Sequence, residues 1–359
     1  MSGLALAMSG GGAPAAYFSA GVIQYLAHSG LLDDLRVVSG TSAGALNAGA
    51  VAAGLTVEEL ADLWVDARPF DLARPRLDVW RLVNWGNLAR WPSTGVAEYL
   101  LDAVGWTWLF DTGRARRWLL SRLSGADGQD GRIPVRDGLT VVVSSVDQAT
   151  GKVVRFTNRL PPRRRGAGAS PPGEETPYRR SFEYRQVQLT VDHLLASAAV
   201  PLLLRPGRED MHEYVDAGLV ANTPLTPVFD YRPDRVIVVS AATVSGPVAR
   251  PVTLGDAISR LIDNVARYSV YSSYEHAQAM NALIHQAPQV PAVRGKKEVE
   301  LRLIEPVGRQ FTLTRFLDFS PDTAHHVMAH GREQAARALA GWPPSRRTAR
   351  PRRAPNRGP

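Results

Sequence analysis

The sequence predicts an α/β fold with a mostly parallel central sheet and helices on its faces. Three observations predict it. The first 55 residues run strand, glycine turn, helix, strand, turn, helix, an order that places parallel strands side by side with helices packed across them. Short apolar strand-like runs return at intervals down the chain. The chain has 359 residues, 45% of them apolar, enough for a large core and too many for wholesale disorder.

In order, Leu4–Met8 is a short apolar run and reads as a buried strand. Gly10-Gly11-Gly12 follows, then a helix from about Pro14 to Ser29; proline suits the first helical position, where its missing N–H would have had no partner. Gly30 ends that helix, a strand spans Arg36–Ser39, and a helix of small residues spans Ala43–Ala53. Residues 56–122 read as mainly helical and tryptophan-rich. Strands are expected at Thr140–Ser145, Lys152–Thr157, Phe182–Val187, Arg235–Ala241 and Leu301–Ile304, with long helices at Leu254–His285 and Pro321–Leu339. Residues 159–177 are rich in Pro, Gly and Arg and read as an exposed mobile loop. Residues 341–359 have the composition of a disordered basic tail. The expectation is one domain, 1–340, followed by that tail.

Charge and cysteine content narrow the function. The net charge is +8, but six arginines (Arg346, Arg347, Arg350, Arg352, Arg353, Arg357) lie in the tail with no acid beside them. Without them, 36 basic residues face 34 acidic ones, so the body is near neutral and no specific nucleic-acid partner is indicated. The chain has no cysteine, which excludes disulfides, thiolate metal sites and cysteine nucleophiles. No run approaches the roughly 20 apolar residues of a membrane-spanning helix. Met1-Ser2-Gly3 lacks the basic region of a secretory signal, and the expected location is the cytoplasm, with peripheral membrane contact as the open alternative.

The strongest motif is Gly40-Thr41-Ser42-Ala43-Gly44, a G-x-S-x-G set between a strand and a helix. That is the setting of a nucleophile elbow, a sharp turn that lifts a serine hydroxyl above the sheet edge beside the next helix's N–H groups. Gly10-Gly11-Gly12 lets backbone N–H groups approach an anion, either a phosphate or the oxyanion of a tetrahedral intermediate. Gly10-x-Gly12-x-x-Ala15 also fits the dinucleotide fingerprint, but the next strand ends in Ser39-Gly40-Thr41-Ser42 and lacks the acidic residue that fingerprint requires. Acyl transfer is the better fit. None of the eight histidines sits in a motif that asks for one, so a carboxylate must be considered as base. Asp216, in Tyr214-Val215-Asp216-Ala217-Gly218, follows a short strand and enters a tight turn, although an Asp-x-Gly can also be a simple turn.

Ser9-Gly10-Gly11-Gly12, Gly40-Thr41-Ser42-Ala43-Gly44, Leu195-Ala196-Ser197-Ala198-Ala199-Val200-Pro201 and Asp216-Ala217-Gly218 resemble, in order and spacing, the patatin-like phospholipase family over about residues 3–240. The resemblance implies a three-layer α/β/α fold with a helical insertion (about 56–122) after the nucleophile helix. It also implies a Ser-Asp dyad with Ser42 as nucleophile and Asp216 as general base. The oxyanion hole would draw on Gly10, Gly11, Gly12 and Ala43, with Gly40 and Gly44 shaping the elbow, and with no cofactor and no metal. The substrate would be a lipid ester, in a phospholipase A or lysophospholipase reaction. Acyl transfer, thioester hydrolysis and a catalytically silent lipid-binding scaffold are the alternatives on the same fold. The sequence departs from the family where Pro14 and Ala15 stand in place of a basic residue and glycine, and where Ala217 replaces a glycine.

Seven of eight tryptophans fall between Trp64 and Trp118, interleaved with arginines. They fit either a helical subdomain packed by aromatics or an interfacial surface that meets lipid. The basic tail likewise fits a solvated segment or a tether to anionic membranes.

Overall fold

The computed structural model describes residues 3–68, 72–76, 83–84, 105–124, 130–162, 181–241, 254–291, 293–294, 296–307 and 319–344. Its frame is a mixed sheet. β1 (Leu4–Met8) lies at the centre, parallel to β2 (Leu35–Thr41) on one side and to β11 (Arg235–Val239) on the other. Beyond β11 runs β12 (Glu300–Ile304), also parallel, and beyond β2 runs β5 (Thr140–Asp147), parallel again. The far edge turns antiparallel. There β6 (Val153–Thr157) pairs with β5 and carries β7 (Phe182–Gln186), while β10 (His212–Asp216) pairs with β5 and carries β9 (Gly207–Glu209).

Strands buried on both faces read as continuous apolar runs, and all five residues of β1 are buried. Alternation divides them between two cores. Leu4, Leu6 and Met8 pack into one cluster with α1 (Gly12–His28), α2 (Ala43–Ala53), α3 (Val57–Val65), α5 (Val191–Ser197) and α8 (Pro321–Ala338). Ala5 and Ala7 face the other, with Leu225 and Val228 of α6 (Leu225–Asp230) and Ala277 of α7 (Leu254–Gln286). The sheet is therefore flanked by helices on both faces. α8 lies directly on α1: a Cβ on Gly21 would overlap the Met328 carbonyl, and one on Gly331 the Phe18 carbonyl. Among the described residues, no helix is long and apolar enough to cross a membrane.

Several expectations shift. α1 starts at Gly12, two residues before Pro14, which still sits in the first turn where a missing N–H costs nothing. The 56–122 region is not uniformly helical. Besides α3 and α4 (Gly113–Leu123) it holds β3 (Arg74–Pro75) and β4 (Trp108–Asp111), which join β8 (Leu202–Leu204) in a three-stranded ribbon. Trp80, Trp85 and Trp91 lie outside the described residues, as do 163–177 of the expected loop and 345–359 of the expected tail. The start of that tail is packed. Trp342 is buried, its indole N–H bonded to Glu300 and its ring under the guanidinium groups of Arg235 and Arg302; a large aromatic flanked by two cations covers sheet surface that the flanking prolines could not.

Candidate active site

Three loops at one end of the sheet meet around Ser42, and β5 sets their register. Its edge opposite β6 is shared by two strands arriving from opposite ends. β2 occupies it as far as Thr41↔Ser144, and antiparallel β10 begins at Asp216↔Ser145. The C-terminal ends of β2 and β10 thus meet head to head over adjacent residues of one strand. The residue after Thr41 is Ser42, so the serine and the aspartate are brought together across 174 positions of sequence. The Ser42 hydroxyl interacts with the Asp216 carboxyl and favours its charged form.

Ser42 has φ 55° and ψ −123°, a conformation that costs a non-glycine residue about 1–3 kcal/mol and persists only where surroundings impose it. The impositions are visible. A Cβ on Gly40 would strike the Gly44 carbonyl, and one on Gly44 the Met8 carbonyl, so the turn folds onto itself and onto β1 with no room for larger residues. The Ser42 N–H donates to Ser197 Oγ at 3.0 Å, and Ser197 Oγ donates onward to the Ser144 carbonyl at 2.6 Å. Thr41 Oγ1 donates to the Ala221 carbonyl at 3.0 Å, tying the elbow to the loop after Asp216.

Asp216 is held as tightly. Its own N–H donates to the Ala199 carbonyl at 2.9 Å, and its Oδ1 accepts the Gly218 N–H at 2.7 Å. The residue is 7% exposed. Burial raises its carboxyl pKa to about 6, with the Ser42 hydroxyl and the Gly218 N–H working in the opposite direction. No histidine takes this place. Buried His193 is engaged through Nδ1 by Thr190 and through Nε2 by Glu209 at 2.7 Å, and His212 bonds Asp147 at 3.0 Å.

The glycine loop closes the third side. Gly11 (φ 142°) and Gly12 (φ 67°) both occupy backbone conformations that side chains rarely adopt. Gly12 opens α1 as Ala43 opens α2, so their N–H groups are first-turn donors without intrahelical acceptors. Gly10 is placed differently: its N–H donates to the Asn222 carbonyl at 3.3 Å. It packs against the site, since a Cβ there would lie 2.8 Å from Ser42 Cβ and 2.9 Å from Asn222 Oδ1.

A cavity of about 1120 Å³, part of it open to solvent, extends from Ser42. Its walls are almost wholly apolar and include Leu46, Trp64, Phe110, Trp118, Leu119 and Phe319. The Trp64 indole N–H is satisfied outside the cavity, by Asn47 Oδ1 at 2.8 Å, while Asn47 Nδ2 bonds the Ala16 carbonyl at 2.9 Å. Two tryptophans of the sequence cluster, Trp64 and Trp118, thus wall the cavity, their ring centroids 6.4 Å apart. Among the described residues, no three His, Asp or Glu side chains converge as metal ligands would.

Sequence reasoning singled out Ser42, Asp216 and the glycine loop, and missed the parts of Ser197, Thr41 and Asn222. The only signal for Ser197 was the stretch 195–201, noticed through its resemblance to a family.

Residues 6–229 match the family model described as patatin-like phospholipase. A search of curated proteins gives no match. Among solved structures, VipD from Legionella pneumophila is similar at 16% identity and a TM-score of 0.42, over 95% of this chain and 67% of that one. The type III effector protein ExoU is similar at 16% identity and a TM-score of 0.40, over 94% of this chain; the match spans about half of that protein (52%). A family match across more than half of the chain, with the serine and aspartate motifs inside it, carries the assignment: this chain belongs to the patatin-like phospholipase family and, with it, to the lipid acyl hydrolases, which are carboxylic ester hydrolases.

Proposed function

We propose that the chain hydrolyses the carboxylic esters of phospholipids or lysophospholipids through an acyl-serine intermediate, with Ser42 as nucleophile and Asp216 as base. Ser42 Oγ attacks the ester carbonyl carbon while its proton passes to Asp216. The carbonyl oxygen becomes an oxyanion, received by the N–H groups of Gly11, Gly12 and Ala43; Gly10, its N–H engaged with Asn222, anchors the loop. Collapse of the tetrahedral intermediate breaks the C–O bond, and the departing alcohol takes the proton from Asp216. Water then gives a proton to Asp216 and attacks the acyl carbon. The second collapse releases the fatty acid and returns the proton to Ser42.

The observation that carries this reading is the placement of Ser42 next to a buried carboxyl whose pKa is raised to about 6. An ordinary carboxylate is too weak a base for a serine hydroxyl, and raising its pKa toward the operating pH improves it. Further support comes from the apolar cavity opening at Ser42, which suits an acyl chain better than a polar substrate. The test is labelling with a fluorophosphonate probe. Wild type is expected to react, and Ser42→Ala neither to react nor to turn over esters; undiminished turnover by Ser42→Ala would overturn the mechanism.

A further inference from the structure

Ser42 is 4% exposed at an apolar cavity, so an acyl chain must cross that cavity to reach it. The ribbon β3–β4–β8 supplies one. Pro75, Phe110 and Leu204 line the cavity and are register partners, Pro75↔Phe110 and Phe110↔Leu204. Two residues further along the same pair of strands stand Trp108 and Leu202, again opposite each other. Leu202 is 70% exposed and sits at φ 68°, where a leucine is strained. Leu109 beside it is exposed. Single exposed apolar residues are ordinary, whereas two on paired strands leading to one cavity mark a contact surface.

The charge on the ribbon narrows the partner. Residues 74–76, 108–111 and 202–205 carry Arg74, Arg76 and Arg205 against one acid, Asp111, which pairs with Arg205 at 3.1 Å and leaves an excess of two cations. The Arg76 guanidinium lies 5.0 Å from the Trp106 ring and 4.2 Å from the Trp108 ring, and that of Arg205 5.7 Å from Trp108. Arginine stacked on tryptophan, with leucines projecting beside it, is suited to the headgroup level of a bilayer, where the cations meet phosphate and the leucines enter the acyl region.

We propose that the outer end of this ribbon docks on an anionic phospholipid bilayer, and that an acyl chain enters the cavity past Pro75, Phe110 and Leu204. The proposal rests on the acyl-hydrolase reading and specifies where its substrate enters. The test is sedimentation of full-length protein with vesicles of phosphatidylcholine and phosphatidylglycerol in equal parts at physiological salt, with the basic tail common to both proteins compared. Wild type is compared with the double variant Leu109→Asp, Leu202→Asp. Neither residue lines the cavity, and aspartate tolerates the positive φ at 202 better than leucine. The variant is expected to bind more than about tenfold more weakly while cleaving a soluble short-chain ester at the wild-type rate. Equal vesicle binding by the two proteins, or no binding by wild type, would overturn the docking proposal. Absence of soluble-ester turnover in wild type would instead strike at the hydrolase reading, because vesicle binding is read separately.

Discussion

Replacing Asp216 with asparagine should make the protein more stable and less active, and the size of both effects follows from one number. Burial lifts the Asp216 carboxyl from an ordinary 3.8 to about 6. Between those values the folded chain keeps a proton that the unfolded chain has released. Stability contributed by that proton is fully present below pH 3.8, declines as pH rises, and is gone above pH 6. A shift of about two units corresponds to about 3 kcal/mol. The asparagine side chain cannot ionise and is spared this loss. Every other titrating group is common to both proteins and cancels in the difference. Urea unfolding at a series of pH values should therefore give nearly equal stabilities near pH 4, with Asp216→Asn pulling ahead by up to about 3 kcal/mol at pH 8. Activity should move the other way. In wild type, kcat/KM on a soluble ester should rise with pH to a plateau through an ionisation near 6, because only the carboxylate accepts the serine proton. The variant should lose about 10²–10⁴-fold at the plateau. A variant less stable than wild type at pH 8, or a wild-type profile flat from pH 5 to 7, would refute the reasoning.

Three other perturbations test separate parts of the site and its support. Ser197→Ala removes the acceptor of the Ser42 N–H at a site shielded from water; a loss of about 1–3 kcal/mol in chemical denaturation is expected, together with slower fluorophosphonate labelling that Ser197→Thr partly restores. Trp64→Ala deletes a 2% exposed cavity wall, at a cost of about 3–5 kcal/mol, and should shift preference toward longer acyl chains in a chain-length series of esters. Gly331→Ala drives a methyl into the Phe18 carbonyl and should destabilise by about 1–3 kcal/mol in the same unfolding assay, while residual folded protein keeps its esterase pH profile.

The parts of this fold that were legible in the sequence are those governed by neighbouring residues. β1 is an apolar run buried from both sides, and α2 is read to the residue because an elbow of small side chains must open it. Asp216 could be found because a strand, a turn and a carboxylate coincide within three positions. What the sequence could not show depends on long-range pairing. The tryptophan-rich insertion reads as helix, yet Trp108 and Phe110 become strand because Leu202 and Leu204, more than 90 positions later, offer a partner edge. The meeting of β2 and β10 along β5 has no local signature, although it is what brings Ser42 to Asp216. Ser197 and the Ser42 N–H are joined by a bond across 155 positions. Trp342 reads as part of a tail because prolines and arginines follow it; its burial depends on Glu300, Arg235 and Arg302.

The central claim is that catalysis passes through an ester on Ser42. Its most direct test is to mix the enzyme with an activated fatty-acyl ester, quench in acid within the first turnovers, and locate the added acyl mass by peptide mass spectrometry. The mechanism predicts one acyl group on the peptide containing Ser42, absent from Ser42→Ala and decaying as free fatty acid appears. Ester turnover with no adduct on that peptide, or with the adduct on another residue, would contradict it.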